Sequence, residues 1–339
     1  MEKETKETPI KGALIYQPQG AAGEYAKWAI NLYHGCSNGC TYCYNRRGVM
    51  SHIFGDKPEL AAPIVKSRDR QINYFDRQIN YFLERKKLTA HDPIPDVVIE
   101  NCTNVAIRSL IYNDTRRIGI FRLIEDGGVF MSFTCDPLDT DDNAQNYTFS
   151  AAKKILGYGI PVTLLTKNVA WLKEDSWKIL LEEYPKLICC QNNHALLTIG
   201  FTITGKDKLE PGAPSTEERI EALRKLHDEY KIKTFVSLEP ITSICTASEV
   251  IKKTYQITDE IRIGAQSPIK KDRYDPNEFF GFVTSVKFLA CDLPCRFMVK
   301  DSMYKQAEAF GGTYRDMCIA KLDEIRKIYE SKQTGNDEK

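Results

Sequence analysis

The chain has 339 residues, 42% of them apolar, with 47 basic against 46 acidic side chains; that is enough for one large α/β domain or two smaller ones around a real core. The near cancellation of charge excludes a global basic field of the kind that binds duplex DNA or an acidic membrane surface, although a local patch stays open. The charged start Met1-Glu2-Lys3-Glu4-Thr5-Lys6-Glu7-Thr8 lacks the apolar run of a signal peptide, no later run reaches membrane-span length, and the odd count of 11 cysteines reads as ligands and buried thiols, so a reducing cytoplasmic setting with no membrane is expected.

In chain order, residues 1–27 form an N-terminal extension whose Lys11–Gly20 part reads as an extended segment ending in a turn. The apolar, partly β-favouring Trp28-Ala29-Ile30-Asn31-Leu32-Tyr33 predicts a buried strand. That strand delivers a loop, Cys36-Ser37-Asn38-Gly39-Cys40-Thr41-Tyr42-Cys43, with three thiols at C-x3-C-x2-C spacing. Four thiolates close a tetrahedral zinc site or hold every iron of a cubane, whereas three leave one iron open to a cofactor or substrate. Gly35 and Gly39 suit a wrap that needs positive φ. A zinc knuckle is the weaker reading, because His34 is badly spaced as a fourth ligand; three chance core cysteines are weaker too.

Residues 51–126 turn charged and helical, an insertion after the loop. It contains Arg70-Gln71-Ile72-Asn73-Tyr74-Phe75-Asp76 repeated at once as Arg77-Gln78-Ile79-Asn80-Tyr81-Phe82-Leu83. Seven residues are two helical turns, so both copies show Ile, Tyr and Phe to nearly one face. Packing of an amphipathic helix on the domain is the plainer reading; a protein partner docking at residues 70–83, or a lid over the site, is the functional one. Arg108, Arg116, Arg117 and Arg122 read as solvated surface, the alternative being a hold on a phosphate-bearing substrate.

Beyond Gly127 strands and helices alternate: strands at 128–134, 161–166, 195–203, 232–238 and 260–265, with helices near 143–156 and 169–183 among those between. Two S/T-x-x-E pairs, Ser215 with Glu218 and Thr246 with Glu249, predict helix starts. After the first, Ile220, Leu223, Leu226 and Tyr230 should face the sheet. With the cysteine strand there are six strands. The fold class expected is α/β, a partial (β/α)6 TIM-like barrel with a helical insertion after the cysteine loop.

The loop, with Tyr42 before its last cysteine, resembles the signature of the radical S-adenosylmethionine (radical SAM) superfamily. Lys208–Leu223, Thr134-Cys135-Asp136-Pro137 and Thr166-Lys167 are similar to segments of its spore photoproduct lyase-like branch. The resemblance covers about residues 28 to 267. It leaves the 51–126 insertion and the C-terminal tail uncovered; a radical SAM barrel is expected at 28–300, with 301–339 as a C-terminal helical tail. The resemblance implies a [4Fe-4S] cluster on Cys36, Cys40 and Cys43, whose free iron takes S-adenosylmethionine. Reductive cleavage of that cofactor would give a 5′-deoxyadenosyl radical that abstracts hydrogen from a substrate. By the same resemblance Lys167 faces the cofactor carboxylate, Cys135 and Asp136 meet its methionyl part, Thr202 lies near the ribose and Tyr42 near adenine. An external flavodoxin- or ferredoxin-type electron donor is implied.

The departure from the lyase itself is that Phe133 stands where a hydrogen-returning cysteine belongs, which argues against DNA lesion repair. The substrate is left open between a nucleic acid or nucleotide and a protein or peptide. Cys291, Cys295 and Cys318 are too unevenly spaced for the auxiliary cluster they could suggest, and with Cys189, Cys190 and Cys102 they read as buried structural thiols. The rival from another class is a non-catalytic iron-sulfur or zinc-binding interaction module on the same scaffold.

Overall fold

The structure, a computed structural model, describes residues 13–46, 55–85, 96–184, 195–292 and 294–310, with side chains at 74–85, 96–98, 142 and 287–292 left aside. The chain divides into two compact units, one of residues up to Gly39 with Asn45–Ile199, the other of Cys40–Tyr44 with Gly200 onward.

In the first unit, β1 (Ile15–Tyr16) runs antiparallel to β2 (Trp28–Ile30). The predicted strand 28–33 is interrupted at Asn31. There the Asn31 side-chain amide accepts the Ser132 hydroxyl at 2.9 Å and the Phe133 N–H at 3.0 Å and donates to the Tyr16 hydroxyl at 2.7 Å. Tyr33–His34 becomes a separate strand, β3, paired antiparallel with β4 (Glu59–Leu60).

The expected helical insertion is present as α1 (Ala62–Arg85), α2 (Asp96–Ile118) and α3 (Ile120–Glu125). Its apolar stripe, Ala106, Ile107, Ile111 and Ile118, is buried at the spacing of one helical face. Asp114 on α2 accepts the N–H groups of Leu14 and Ile15 at 2.7 and 3.0 Å and so pins the edge strand β1. The tandem repeat lies on α1, and its side chains from Tyr74 onward fall outside the described set. The arginines read as plain surface are engaged locally: Arg117 pairs with Asp114, while Arg116 and Arg122 lie over the rings of Tyr112 and Trp28.

After the insertion, β5 (Val129–Met131) is parallel to β2 and to β6 (Val162–Thr166), with α4 (Asp142–Leu156) between β5 and β6. β2 and β5 are buried at every residue, the mark of a parallel sheet covered on both faces. The predicted helix 169–183 is two pieces, a 3-10 turn Ala170–Lys173 and α5 (Asp175–Glu183), with Trp171 and Trp177 buried edge-to-face between them. β7 (Leu197–Thr202) follows β6 in the strand order.

In the second unit β7 is followed by β8 (Lys233–Ile241), β9 (Glu260–Ala265) and β10 (Arg296–Val299), with β8, β9 and β10 parallel. All six expected strands are therefore present as β2, β5, β6, β7, β8 and β9. The chain is α/β with a mostly parallel sheet, the strand-helix succession of a partial TIM-like barrel. β10 is an addition that the sequence did not announce. The capping box at Ser215 and Glu218 forms as expected and opens α6 (Thr216–Arg224). Ile220, Leu223 and Leu226 are buried, whereas Tyr230 follows a π-type turn and stays half-exposed.

The second expected cap is corrected. α7 (Ile244–Thr254) starts a turn earlier than predicted, because Ser243 accepts the Thr246 N–H and Thr246 lies inside the helix. α8 (Pro276–Asp292) and α9 (Asp301–Ala309) complete the described chain. Cys295 is buried, which pushes its thiol up to about 11, whereas Cys102 is half-buried. The Cys291 side chain, Cys189, Cys190, Cys318 and the tail beyond residue 310 lie outside the described set. No helix among the described residues is long and apolar enough to cross a membrane.

Candidate active site

The cysteine loop leaves β3 at Gly35, whose φ is +87° and where an added Cβ would lie 2.2 Å from the Lys57 carbonyl oxygen. Only glycine fits there. Gly39, φ +65°, makes the second reversal. Backbone hydrogen bonds fix the entry and the exit: Gly35 N–H to the Thr134 carbonyl, Cys36 N–H to Gly55, and Cys43 N–H to Cys40. Cys40 is 5% exposed and Cys36 and Cys43 are half-buried.

The loop's first half belongs to the first unit, where two carboxylates from the segment after β5 hold it. Asp139, fully buried, accepts both the N–H and the hydroxyl of Ser37 at 2.9 and 2.6 Å. Asp136 accepts the Asn38 side-chain amide at 2.8 Å, the Thr166 hydroxyl at 2.6 Å, the Lys167 N–H at 2.8 Å and the Leu138 N–H at 3.0 Å. A carboxylate with two donors on each oxygen has its acceptor capacity largely used. Asp136 thus ties the loop to the end of β6. Asp139 is not singled out by the sequence analysis, although the D-P-L-D spacing of Asp136 and Asp139 carries the signal.

Burial, and then the negative charges of Asp136 and Asp139, hold the Cys36 thiol well above its ordinary range; the Asn38 N–H and the Lys167 ammonium oppose them. The Cys135 thiol donates to the Ser132 hydroxyl at 3.3 Å, and burial pushes it up to about 12, so it stays a neutral S–H at physiological pH. Cys36, Cys135, Asp136 and Lys167 are thus gathered in the first unit.

Tyr42 and Thr202 are linked in the second unit. The Thr41 N–H donates to the Leu209 carbonyl at 2.8 Å, and the Tyr42 hydroxyl donates to one oxygen of Glu210. The other oxygen takes Arg219 at 2.5 Å, and the same guanidinium donates to the Thr202 carbonyl at 2.7 Å. The Arg219 and Glu210 side chains are both fully buried. Neither was singled out from sequence, although both lie in or beside the segment that carried the family resemblance. A second ion pair was also missed: Lys300, 2% exposed and just after β10, donates to both oxygens of Glu239 on β8.

Among the described residues no three His, Cys, Asp or Glu side chains are gathered into a group that could hold a metal ion. The donor chemistry of the loop still fits a three-thiolate cluster: soft sulfur ligands, glycine reversals at both needed places and a lysine charge acting on the first thiol.

A scan against protein-family models finds no match, and neither does a search of curated proteins. Among solved structures, SuiB of Streptococcus suis bound to S-adenosylmethionine is 12% identical over 81% of this chain and 72% of its own, with TM-score 0.39. A point mutant of spore photoproduct lyase is 11% identical over 88% and 87%, with TM-score 0.48. The second names the branch that the sequence resembles. Scores of this size carry no functional argument, which rests on the residues.

Proposed function

We propose that the chain is a radical S-adenosylmethionine enzyme related to the spore photoproduct lyase-like branch, with Cys36, Cys40 and Cys43 as ligands of a [4Fe-4S] cluster. The observation that carries this reading is that the three-cysteine loop is a built element. Its first half is fixed by the buried carboxylates of Asp136 and Asp139, its second by Leu209 and Glu210. A loop of chance core cysteines has no need of such supports.

Bound at that loop, the cluster and S-adenosylmethionine supply reductive cleavage of a sulfonium C–S bond and hydrogen abstraction from a substrate C–H bond. The chain's own residues bind and orient. Lys167 offers a cation for the cofactor carboxylate, Thr202 a hydroxyl at the end of β7 for the ribose, and Tyr42 a ring beside the last cysteine for adenine. Cys135, kept protonated by burial, and Asp136 border the methionyl end, Asp136 chiefly by holding the loop. Electrons come from an external flavodoxin- or ferredoxin-type donor, and the substrate is a nucleotide, nucleic acid or peptide.

The test is anaerobic reconstitution of Cys40→Ala beside the parent chain. The parent is expected to take up the brown chromophore of an iron-sulfur cluster and the variant to lose it while keeping the same far-ultraviolet circular dichroism. A variant that keeps a full cluster removes the ligand assignment.

A further inference from the structure

Tyr42 stands between Thr41 and Cys43, and Glu210 next to Leu209. Two consecutive loop residues are therefore pinned, in step, to two consecutive residues of the segment before α6, one through backbone and one through side chains. The Glu210 carboxylate is divided between two donors, the Tyr42 hydroxyl and Arg219. Arg219 also donates from Nη1 to the Thr202 carbonyl at 2.7 Å, its Nε reaches the Ser215 carbonyl at 3.4 Å, and the Nη2 that holds Glu210 also reaches Asp207 at 3.4 Å. Its fork suits this: planar donors in fixed directions can hold a carboxylate and a strand-end carbonyl together, which an ammonium cannot do in the same geometry.

Burying both charges is costly and is not needed to close the helix, since α6 already has the Ser215–Glu218 capping box. What the pair adds is registration. A displacement of Tyr42 must move Glu210, then Arg219, then the carbonyl of Thr202.

We propose that Glu210 and Arg219 are positioning residues that register the Cys40–Cys43 half of the loop against the Thr202 end of β7, so that the last two cysteines and the ribose-side hydroxyl are set as one unit. This rests on the cluster and S-adenosylmethionine reading above. It assigns a role to two residues that touch neither group.

The experiment uses the full chain as Tyr42→Phe, Glu210→Gln and Arg219→Lys, Tyr42→Phe being the mildest because it removes a single oxygen. Without cluster, timed iodoacetamide labelling read by peptide mass spectrometry should show Cys40 alkylated roughly fivefold to tenfold faster in each variant, the size of effect of one lost hydrogen bond. Cys102 on α2 should label at the parent rate. With cluster, the iron content should be kept, while the S-adenosylmethionine concentration that half-converts the electron paramagnetic resonance signal of the reduced protein rises roughly tenfold. The Tyr42→Phe/Arg219→Lys double variant should be no worse than Arg219→Lys alone, because both break one chain of contacts.

Unchanged Cys40 labelling in all three variants overturns the proposal. Faster labelling with an unchanged half-conversion also overturns it, since the pair then only stabilises the loop. A parent chain that takes up no cluster defeats the functional reading instead, and the labelling result alone then upholds or overturns the pinning of the loop.

Discussion

One oxygen of Asp136 accepts both the side-chain amide of Asn38 and the backbone N–H of Lys167, each at 2.8 Å. The cysteine loop and the end of β6 therefore share a single acceptor. Replacing Asp136 with Ala strands buried donors on both sides, and hydrogen bonds to a charged group contribute about 1.5–3 kcal/mol each. A loss of about 3 kcal/mol in urea unfolding, with a lower yield of cluster on reconstitution, is the expected outcome. A loss under 1 kcal/mol would show that the carboxylate is not the hub.

Lys167 lowers the thiol pKa of Cys36 against burial and two carboxylates. In Lys167→Met that thiol should titrate still higher, so at fixed pH less thiolate is present and Cys36 in the cluster-free chain should be alkylated more slowly. The loaded variant should keep its iron and bind S-adenosylmethionine roughly tenfold more weakly, as for a lost charge-assisted hydrogen bond. Equal affinity in a binding titration removes Lys167 from the cofactor site.

The helix starts give a prediction that separates structure from pattern. Ser215→Ala and Ser243→Ala should each cost about 1 kcal/mol, whereas Thr246→Ala, inside α7, should cost less than either. Thermal denaturation of the three variants decides it. Thr246→Ala as the costliest of the three would restore the start at Thr246.

Cys135 sets an alkaline limit. Its thiol is raised from an ordinary value of 9.0 to about 12 by burial, with Asp136 adding and the Ser132 contact opposing. The folded chain holds this proton more tightly than the unfolded one. Its contribution is therefore complete below about pH 9, falls as pH rises, and is gone above about pH 12. Between pH 8 and 10.5 the parent should lose on the order of 1–2 kcal/mol that Cys135→Ala does not lose. Parallel stability curves for the two proteins contradict this.

The strand succession was legible because each strand is a local apolar run, and the cysteine loop because thiol spacing lies within eight residues. What sequence could not show depends on distant partners. Asn31 looks like a tolerated polar residue in a strand until Ser132 and Phe133 claim its side chain. Glu210 and Arg219 could not be singled out, because a carboxylate or guanidinium is almost never fully buried unless paired, and the pairing is tertiary. β10 has four residues, none of them buried, too short and too polar at its start for periodicity to find. Thr246 with Glu249 satisfies the pattern of a capping box, yet Ser243 is already in place one turn earlier.

The most direct measurement of the central claim is on anaerobically reconstituted chain: iron and sulfide content, then dithionite and S-adenosylmethionine, with 5′-deoxyadenosine followed by chromatography. The account predicts about four irons per chain, as a cubane requires, and deoxyadenosine that depends on both reagents. Zinc or no metal, with S-adenosylmethionine left intact under reducing conditions, would contradict it and leave a barrel scaffold whose cysteine loop serves binding rather than radical chemistry.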